Sequence, residues 1–366
     1  MEFRQLGRAG FQVSSLGLGT EYLIGAPRDH IIRVIREAIK QQITYFDLFC
    51  ANPAFRDAMG EAFAPYRSQV YFGAHLGAID RDGQYDKTRD IPSCKRWFED
   101  FMTRYHTDYV DVLFLHNIDE QGDYDAVMAP GGLNDLAQEY KRQGRARAIG
   151  FSGHTVSTSL QAVESGQISV LMFPINLACD TVIKSARTGS TLAGLHDLLR
   201  TCAQRNVAVI TMKPYAGGQL LAPTQPGSQP VSPVKCLAYA LAQIAVVTVV
   251  PGCKDLEQLD AALAYTRASE TERDYAQALA DVKQWTPGDC VYCNHCLPCP
   301  SGIDIARVMR LYDQSQLALT PELQSLYSQL ESNADDCVQC DACEERCPFG
   351  VPVVERMERA AATLRV

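Results

Sequence analysis

Between about residues 15 and 265, short apolar runs alternate with longer amphipathic ones. The runs are SSLGLGT (14–20), YFDLF (45–49), VYFGAHL (70–76), VDVLFLHN (110–117), ARAIGFSGH (146–154), VLMFPIN (170–176), VAVITMKPY (207–215) and VVTVVPG (246–252). Their length and apolar content predict strands. Each is followed by a segment of helical period. HIIRVIREAIKQQ puts Ile32, Ile35 and Ala38 on one face, and CKRWFEDFMTRY does the same for Trp97, Phe98, Phe101 and Met102. Eight such strand–helix units predict an α/β fold, a (β/α)8 TIM barrel, rather than an open doubly wound sheet. An open sheet would be expected to carry G-x-G-x-x-G after its first strand, and GLGT at 17–20 does not fit that pattern.

A barrel of this kind builds its site where the strands end, so the polar residues closing each run should share one bowl. They are Asp47, His75, His116, Ser152 with His154, Asn176, Lys213 with Tyr215, and Gly252. Any one of them alone reads equally well as a satisfied core or loop residue. Their recurrence at one topological position marks a site.

After SETERDYAQALADVKQW the chain changes character at Pro287. CVYCNHCLPCP carries Cys290, Cys293, Cys296 and Cys299, and CVQCDACEERCP carries Cys337, Cys340, Cys343 and Cys347. Three cysteines at x2 spacing and a fourth before proline suit a [4Fe-4S] cluster better than zinc, so two clusters are expected. CPSGIDIARVMR and CPFGVPVVERMER form an internal repeat, and the fourth cysteine of each motif is expected to serve the other cluster. Between the motifs Ile305, Val308, Met309 and Tyr312, then Leu323, Leu326, Tyr327 and Leu330, recur at helical spacing, with Thr320 as N-cap and Pro321 at the first helical position. The expected division is a barrel over residues 1–284 and a small all-α ferredoxin-like domain over 285–366.

Composition narrows the class. The chain has 366 residues, 46% of them hydrophobic, and a formal net charge of -9. It has no basic stripe for nucleic acid, no membrane-length apolar run and no secretory-type start, so a cytoplasmic protein is expected. Of 14 cysteines, Cys50, Cys94, Cys179, Cys202, Cys236 and Cys253 lie outside the tail motifs and read as buried thiols.

The order of these motifs resembles an aldo/keto reductase of the iron–sulfur subgroup, with a C-terminal two-cluster ferredoxin-type domain. The resemblance rests on FRQLGRAGFQVSSLGLGT at the start, Phe46 with Asp47, Leu115 with His116, IGFSGH (149–154), MKPYAGG (212–218), VVPG (249–252) and the tail CNHCLPCPSGIDI. It implies NADP(H)-dependent chemistry on a carbonyl, using an aspartate, a tyrosine acid, a lysine and a histidine. Carried over, the aspartate is Asp47 and the histidine is His116. The tyrosine position is Asn52, which cannot act as a general acid, and the lysine position is His75. Among the family's cofactor contacts, a glutamine is replaced by Met172, an asparagine by Gly153 and a Glu-Asn pair by Ala261 and Ala262. Ser152 is left to hold a nicotinamide carboxamide, and Gly252 with Lys254 to receive phosphate.

The expected activity is therefore that of an oxidoreductase on a small carbonyl or alcohol. His75 or His116 would be the acid or base, Asp47 would set its tautomer, and Lys213 or Tyr215 would bind the substrate oxygen. Electrons would come from NADP(H), from the clusters with a redox partner such as a ferredoxin, or from both. Hydride moves two electrons and a cluster moves one, so a flavin bridge stays open, although the sequence shows no flavin site. Two other classes remain: a divalent-metal lyase or isomerase at Asp47, His75 and His116, and a non-catalytic electron carrier or redox sensor.

Overall fold

The structure is a computed structural model that describes residues 1–179, 192–222, 229–282, 290, 292, 294–347 and 350–365. Eight parallel strands form the barrel: β1 (Leu18–Gly19), β2 (Tyr45–Leu48), β3 (Tyr71–Leu76), β4 (Val110–Leu115), β5 (Ala146–Ser152), β6 (Val170–Pro174), β7 (Ala208–Met212) and β8 (Val246–Val250). Neighbours pair in chain order, and bridges from Leu16 to Val249 and from Gly19 to Gly252 close β1 onto β8. The first run contributes only two residues to the barrel. Just before it, Gln12–Ser14 pairs antiparallel with Phe3–Gln5, so Ser14 belongs to that hairpin instead.

Side-chain alternation along each strand separates two cores. Tyr45, Val112, Phe114, Ala148, Val170, Met172, Ala208, Ile210 and Val250 fill the barrel interior, and Leu6, Phe11 and Val13 of the N-terminal hairpin cluster with them. The alternate residues, among them Phe46, Leu48, Phe72 and Leu113, pack against the surrounding helices. The same parity puts Asp47 one step above Tyr45, and His116 one step above Phe114.

The outer helices differ in detail from their expected faces. Helix Arg28–Lys40 buries Ile31, Val34, Ile35 and Ala38 and covers Ile32 only in part. Helix Ile91–Arg104 buries Cys94, Phe98, Phe101 and Met102, while Trp97 lies at its edge with the Arg56 guanidinium 5.8 Å from its ring. One element was not expected at all. Ala78–Arg81 and Gln84–Lys87 form an antiparallel hairpin after β3, turning at Asp82 (φ 53°) and Gly83 (φ 84°). Two central residues with positive φ make a type I′ turn, which Asp-Gly favours.

The C-terminal part has its own core, built on Ile305, Val308, Met309, Tyr312, Tyr327, Val353, Met357, Ala360 and Leu364. Among the described residues it is helical without strands, and the two repeat-derived helices, Ile305–Leu317 and Val353–Leu364, pack together. Thr320 caps Pro321–Ser328, accepting from the Leu323 amide, while Leu326 points outward and is 42% exposed. The expected boundary at 284/285 lies outside the described residues. No helix among the described residues is long and apolar enough to cross a membrane.

Helix Pro53–Phe63 starts at the barrel mouth and packs closely on Ile91–Arg104, where a Cβ on Gly60 would stand 1.9 Å from the Arg104 carbonyl oxygen. That atom belongs to backbone and cannot swing away. Gly60→Ala is expected to lower stability by about 1–3 kcal/mol, read as an earlier midpoint in urea denaturation.

Candidate functional site

The strand ends open into a cavity of about 420 Å3 at the barrel mouth. Its walls include Asp47, His75, His116, Ser152, His154 and Lys213 from the barrel, and Asn294, His295, Leu297, Ile303 and Asp304 from the C-terminal part. The second group forms a roof. It is fastened to the barrel by Arg310, which donates to the Gly217 carbonyl (3.1 Å), and by Gln219, which donates to the Cys290 carbonyl (2.6 Å).

Asp47, His75 and His116 form a continuous hydrogen-bonded series. His75 Nε2 lies 2.8 Å from Asp47 Oδ1, and His75 Nδ1 lies 2.8 Å from His116 Nδ1. The far nitrogen, His116 Nε2, meets the Tyr85 hydroxyl at 2.6 Å. An ionised carboxylate only accepts, and with neutral imidazoles that fixes every other direction. His75 Nε2–H donates to Asp47, His116 Nδ1–H donates to His75, and Tyr85 O–H donates to His116. Burial pushes the His116 pKa well below its ordinary value of 6.5, and the neighbouring His75, Arg89 and Lys87 push the same way.

This geometry bears on the metal-site alternative. Both nitrogens of His75 are committed to Asp47 and His116, so the three groups stand in a row and do not converge on one point. Among the described residues, in the barrel as in the tail, no three His, Cys, Asp or Glu side chains are arranged to hold a metal ion.

A second pair lies across the cavity. Lys213 Nζ is 2.7 Å from His154 Nε2, and His154 Nδ1 is 3.0 Å from Asp119 Oδ2. Burial and then the Lys213 charge lower the His154 pKa, so the neutral ring donates to Asp119 and accepts from Lys213. Lys213 has φ 55° and leaves strand geometry at the mouth. Tyr215 does not follow it: its side chain packs in the core between barrel and helices, its hydroxyl has no partner, and burial raises its pKa well above 10.0.

The expected cofactor residues separate in the same way. Ser152 and His154 line the cavity. Asn176 is fully buried beneath it, donating to the Lys213 carbonyl and accepting from the Ala178 amide. Gly252 backs onto Tyr22, whose ring carbon would lie 2.1 Å from a Cβ there. Lys254 lies outside the cavity, its carbonyl bonded to His30 and its ammonium 3.9 Å from Asp255.

The cysteine motifs gather the thiols that iron–sulfur clusters need, although among the described residues no three of them stand at metal-holding spacing. Cys296 and Cys299 of the first motif and Cys337, Cys340 and Cys343 of the second line one small apolar cavity. Cys347 is buried in the adjoining core, Cys290 packs in part against that core, and Cys293 lies outside the described residues. Ile303 lines both this cavity and the one at the barrel mouth.

Three cavity residues and one behind them were not found from the sequence. Tyr85 sits on the unexpected hairpin, and the Asp82-Gly83 turn was its available signal. His295, within the first cysteine motif, places its ring 4.5 Å from that of His154. Glu21 follows β1 in the cavity wall, and its pKa is raised by burial. Asp119 left no local signal; only the fold brings it to His154.

Comparisons with known proteins agree with this architecture. The model of the aldo/keto reductase family matches residues 15–235, and that of a 4Fe-4S dicluster domain matches 287–351. L-galactose dehydrogenase of Arabidopsis thaliana is 25% identical over 248 residues, covering 64% of this chain and 71% of that one. The uncharacterized oxidoreductase YqkF of Bacillus subtilis is 25% identical over 285 residues, covering 71% and 89%. The holo form of aldo-keto reductase AKR11C1 from Bacillus halodurans superposes with a TM-score of 0.62 at 21% identity, covering 78% of this chain and 98% of that one. With its barrel, its strand-end site and a family match over more than half its length, the chain belongs to the aldo/keto reductase family and is an oxidoreductase with a C-terminal iron–sulfur domain.

Proposed function

We propose that the protein interconverts a small alcohol and its carbonyl at the barrel mouth, exchanging electrons with its own iron–sulfur domain. The observation that carries this is the series Asp47, His75, His116, which ends in a cavity roofed by the cysteine-rich segment. A cavity of about 420 Å3 suits a small ligand. On this reading Lys213 orients the substrate oxygen, and His116, which burial keeps neutral, passes a proton along the series to His75. Bound among the thiols, the clusters supply one-electron transfer, with Ile303 as the side chain common to both cavities.

One observation favours NADP(H) as a second electron partner. Ser152 faces the same cavity and suits a nicotinamide carboxamide, although Gly252 and Lys254 do not line it. Anaerobic protein assayed for iron, sulfide, nicotinamide and flavin, then tested for NADPH binding by fluorescence, separates the two. Cluster reoxidation by small aldehydes or ketones without nucleotide supports the iron–sulfur route. Turnover that requires NADPH overturns it in favour of the second.

His116→Ala is expected to slow that turnover by ~10²–10⁴-fold with the visible cluster spectrum intact; unchanged turnover would sink the assignment. Burial keeps His116 neutral below 6.5, so the rate should show no fall centred at that pH. Stability should behave differently. In the unfolded chain His116 and His154 take up protons at the ordinary value of 6.5, whereas folded they resist. Stability is then full above 6.5 and declines as pH falls below it, a trend that thermal melts at a series of pH values would read.

A further inference from the structure

The hairpin at 78–87 stands between the catalytic series and the cysteine motif, and it bonds to both. Gln84 and Tyr85 are consecutive in a strand, so their side chains leave opposite faces. Gln84 clamps the backbone of Cys299: the Cys299 amide donates to Gln84 Oε1 (2.8 Å), and Gln84 Nε2 donates to the Cys299 carbonyl (3.1 Å). Tyr85 turns the other way into the cavity and meets His116 Nε2 at 2.6 Å, with Asn117 Nδ2 at 3.4 Å from the same hydroxyl. Phe49 packs against both rings, with centroids 5.8 Å from Tyr85 and 6.3 Å from His116.

Asn52 takes part in the same arrangement. Its Oδ1 accepts from the Phe55 amide and caps helix Pro53–Phe63, while its Nδ2 donates to Asp80 Oδ2 (3.3 Å). Asp80 is the residue paired with Tyr85 across the hairpin. The position where the family pattern has its tyrosine therefore anchors the element that brings another tyrosine to the site.

We propose that Tyr85 exchanges the proton with the substrate oxygen, and that the iron–sulfur domain holds it in place through Gln84 and Cys299. This rests on the reading of the cavity as a carbonyl and alcohol site. In alcohol oxidation the substrate O–H bond breaks and its proton passes to the Tyr85 oxygen. Tyr85's own proton passes to His116 Nε2, that of His116 Nδ1 to His75 Nδ1, and that of His75 Nε2 to Asp47. The hydrogen on carbon leaves as hydride to an oxidised nicotinamide, or as two electrons to two oxidised clusters and a proton to water. Every relay member gives one proton and takes one until Asp47 ends protonated. Reduction runs the series backwards. Tyr85 is thus a catalytic residue, and Gln84 is a positioning residue.

The test uses the full cluster-loaded chain. Tyr85→Phe keeps the ring against Phe49 and is expected to slow single turnover by ~10²–10⁴-fold with the cluster spectrum unchanged. Gln84→Ala is expected to cost up to ~10²-fold through misplacement of Tyr85, and to add nothing in the Tyr85→Phe background. Hydrogen exchange supplies a readout independent of activity: residues 78–87 should exchange faster in Gln84→Ala, and faster in the wild type once iron is chelated. A full-rate Tyr85→Phe beside an active wild type overturns the role of Tyr85 while leaving the site reading intact. Unchanged exchange in Gln84→Ala overturns the clamp. A wild type that turns over neither carbonyls nor alcohols overturns the site reading and the role of Tyr85 together.

Discussion

A carboxylate that can only accept hydrogen bonds gives the whole site its polarity. Asp47 stands at the inner end of a series of three further groups, and each of these can donate at one atom and accept at another. Once Asp47 accepts and the rings are neutral, the two tautomers and the direction of the Tyr85 hydroxyl follow. The buried polar atoms of the series then have partners, which is the condition for burying them at all. An unpaired imidazole or carboxylate here would carry its full desolvation cost.

The same series explains how a member of this family keeps an acid–base site without its usual tyrosine and lysine. His75 stands at the lysine position and links Asp47 to His116 in place of an ammonium. Asn52 stands at the tyrosine position and ties the hairpin to a helix N-terminus. On the proposed reading, the lost groups are replaced by a longer chain of neutral ones, which suits a cavity whose burial disfavours added charge.

The iron–sulfur domain is part of this site as well as an appendage to the barrel. Asn294, His295, Leu297, Gly302, Ile303 and Asp304 wall the cavity, Arg310 and Gln219 fasten the roof, and Gln84 joins the hairpin to a cysteine of the first motif. Changes that loosen the domain therefore reach the proton-transfer groups through backbone contacts, whichever electron partner serves the site.

The sequence by itself determined the barrel, the helical character of the tail and the membership of Asp47, His75, His116 and Ser152 in one bowl. Those properties follow from local periodicity: in a closed parallel sheet, strand parity alone decides which side chains face inward and upward. It misplaced Tyr215, Asn176, Gly252 and Lys254, because two or more residues past a strand end the course of the loop, and not the strand pattern, sets where a side chain goes; His154, equally far out, reaches the cavity by that loop course. The Asp82-Gly83 turn was legible, but its consequence was not. That Tyr85 meets His116, that Asp119 meets His154 and that Gln84 clasps Cys299 depend on contacts between residues 31, 35 and 215 positions apart. Only the tertiary structure decided those, since hydrogen bonds across such separations are set by how whole elements dock and not by the composition of any one of them.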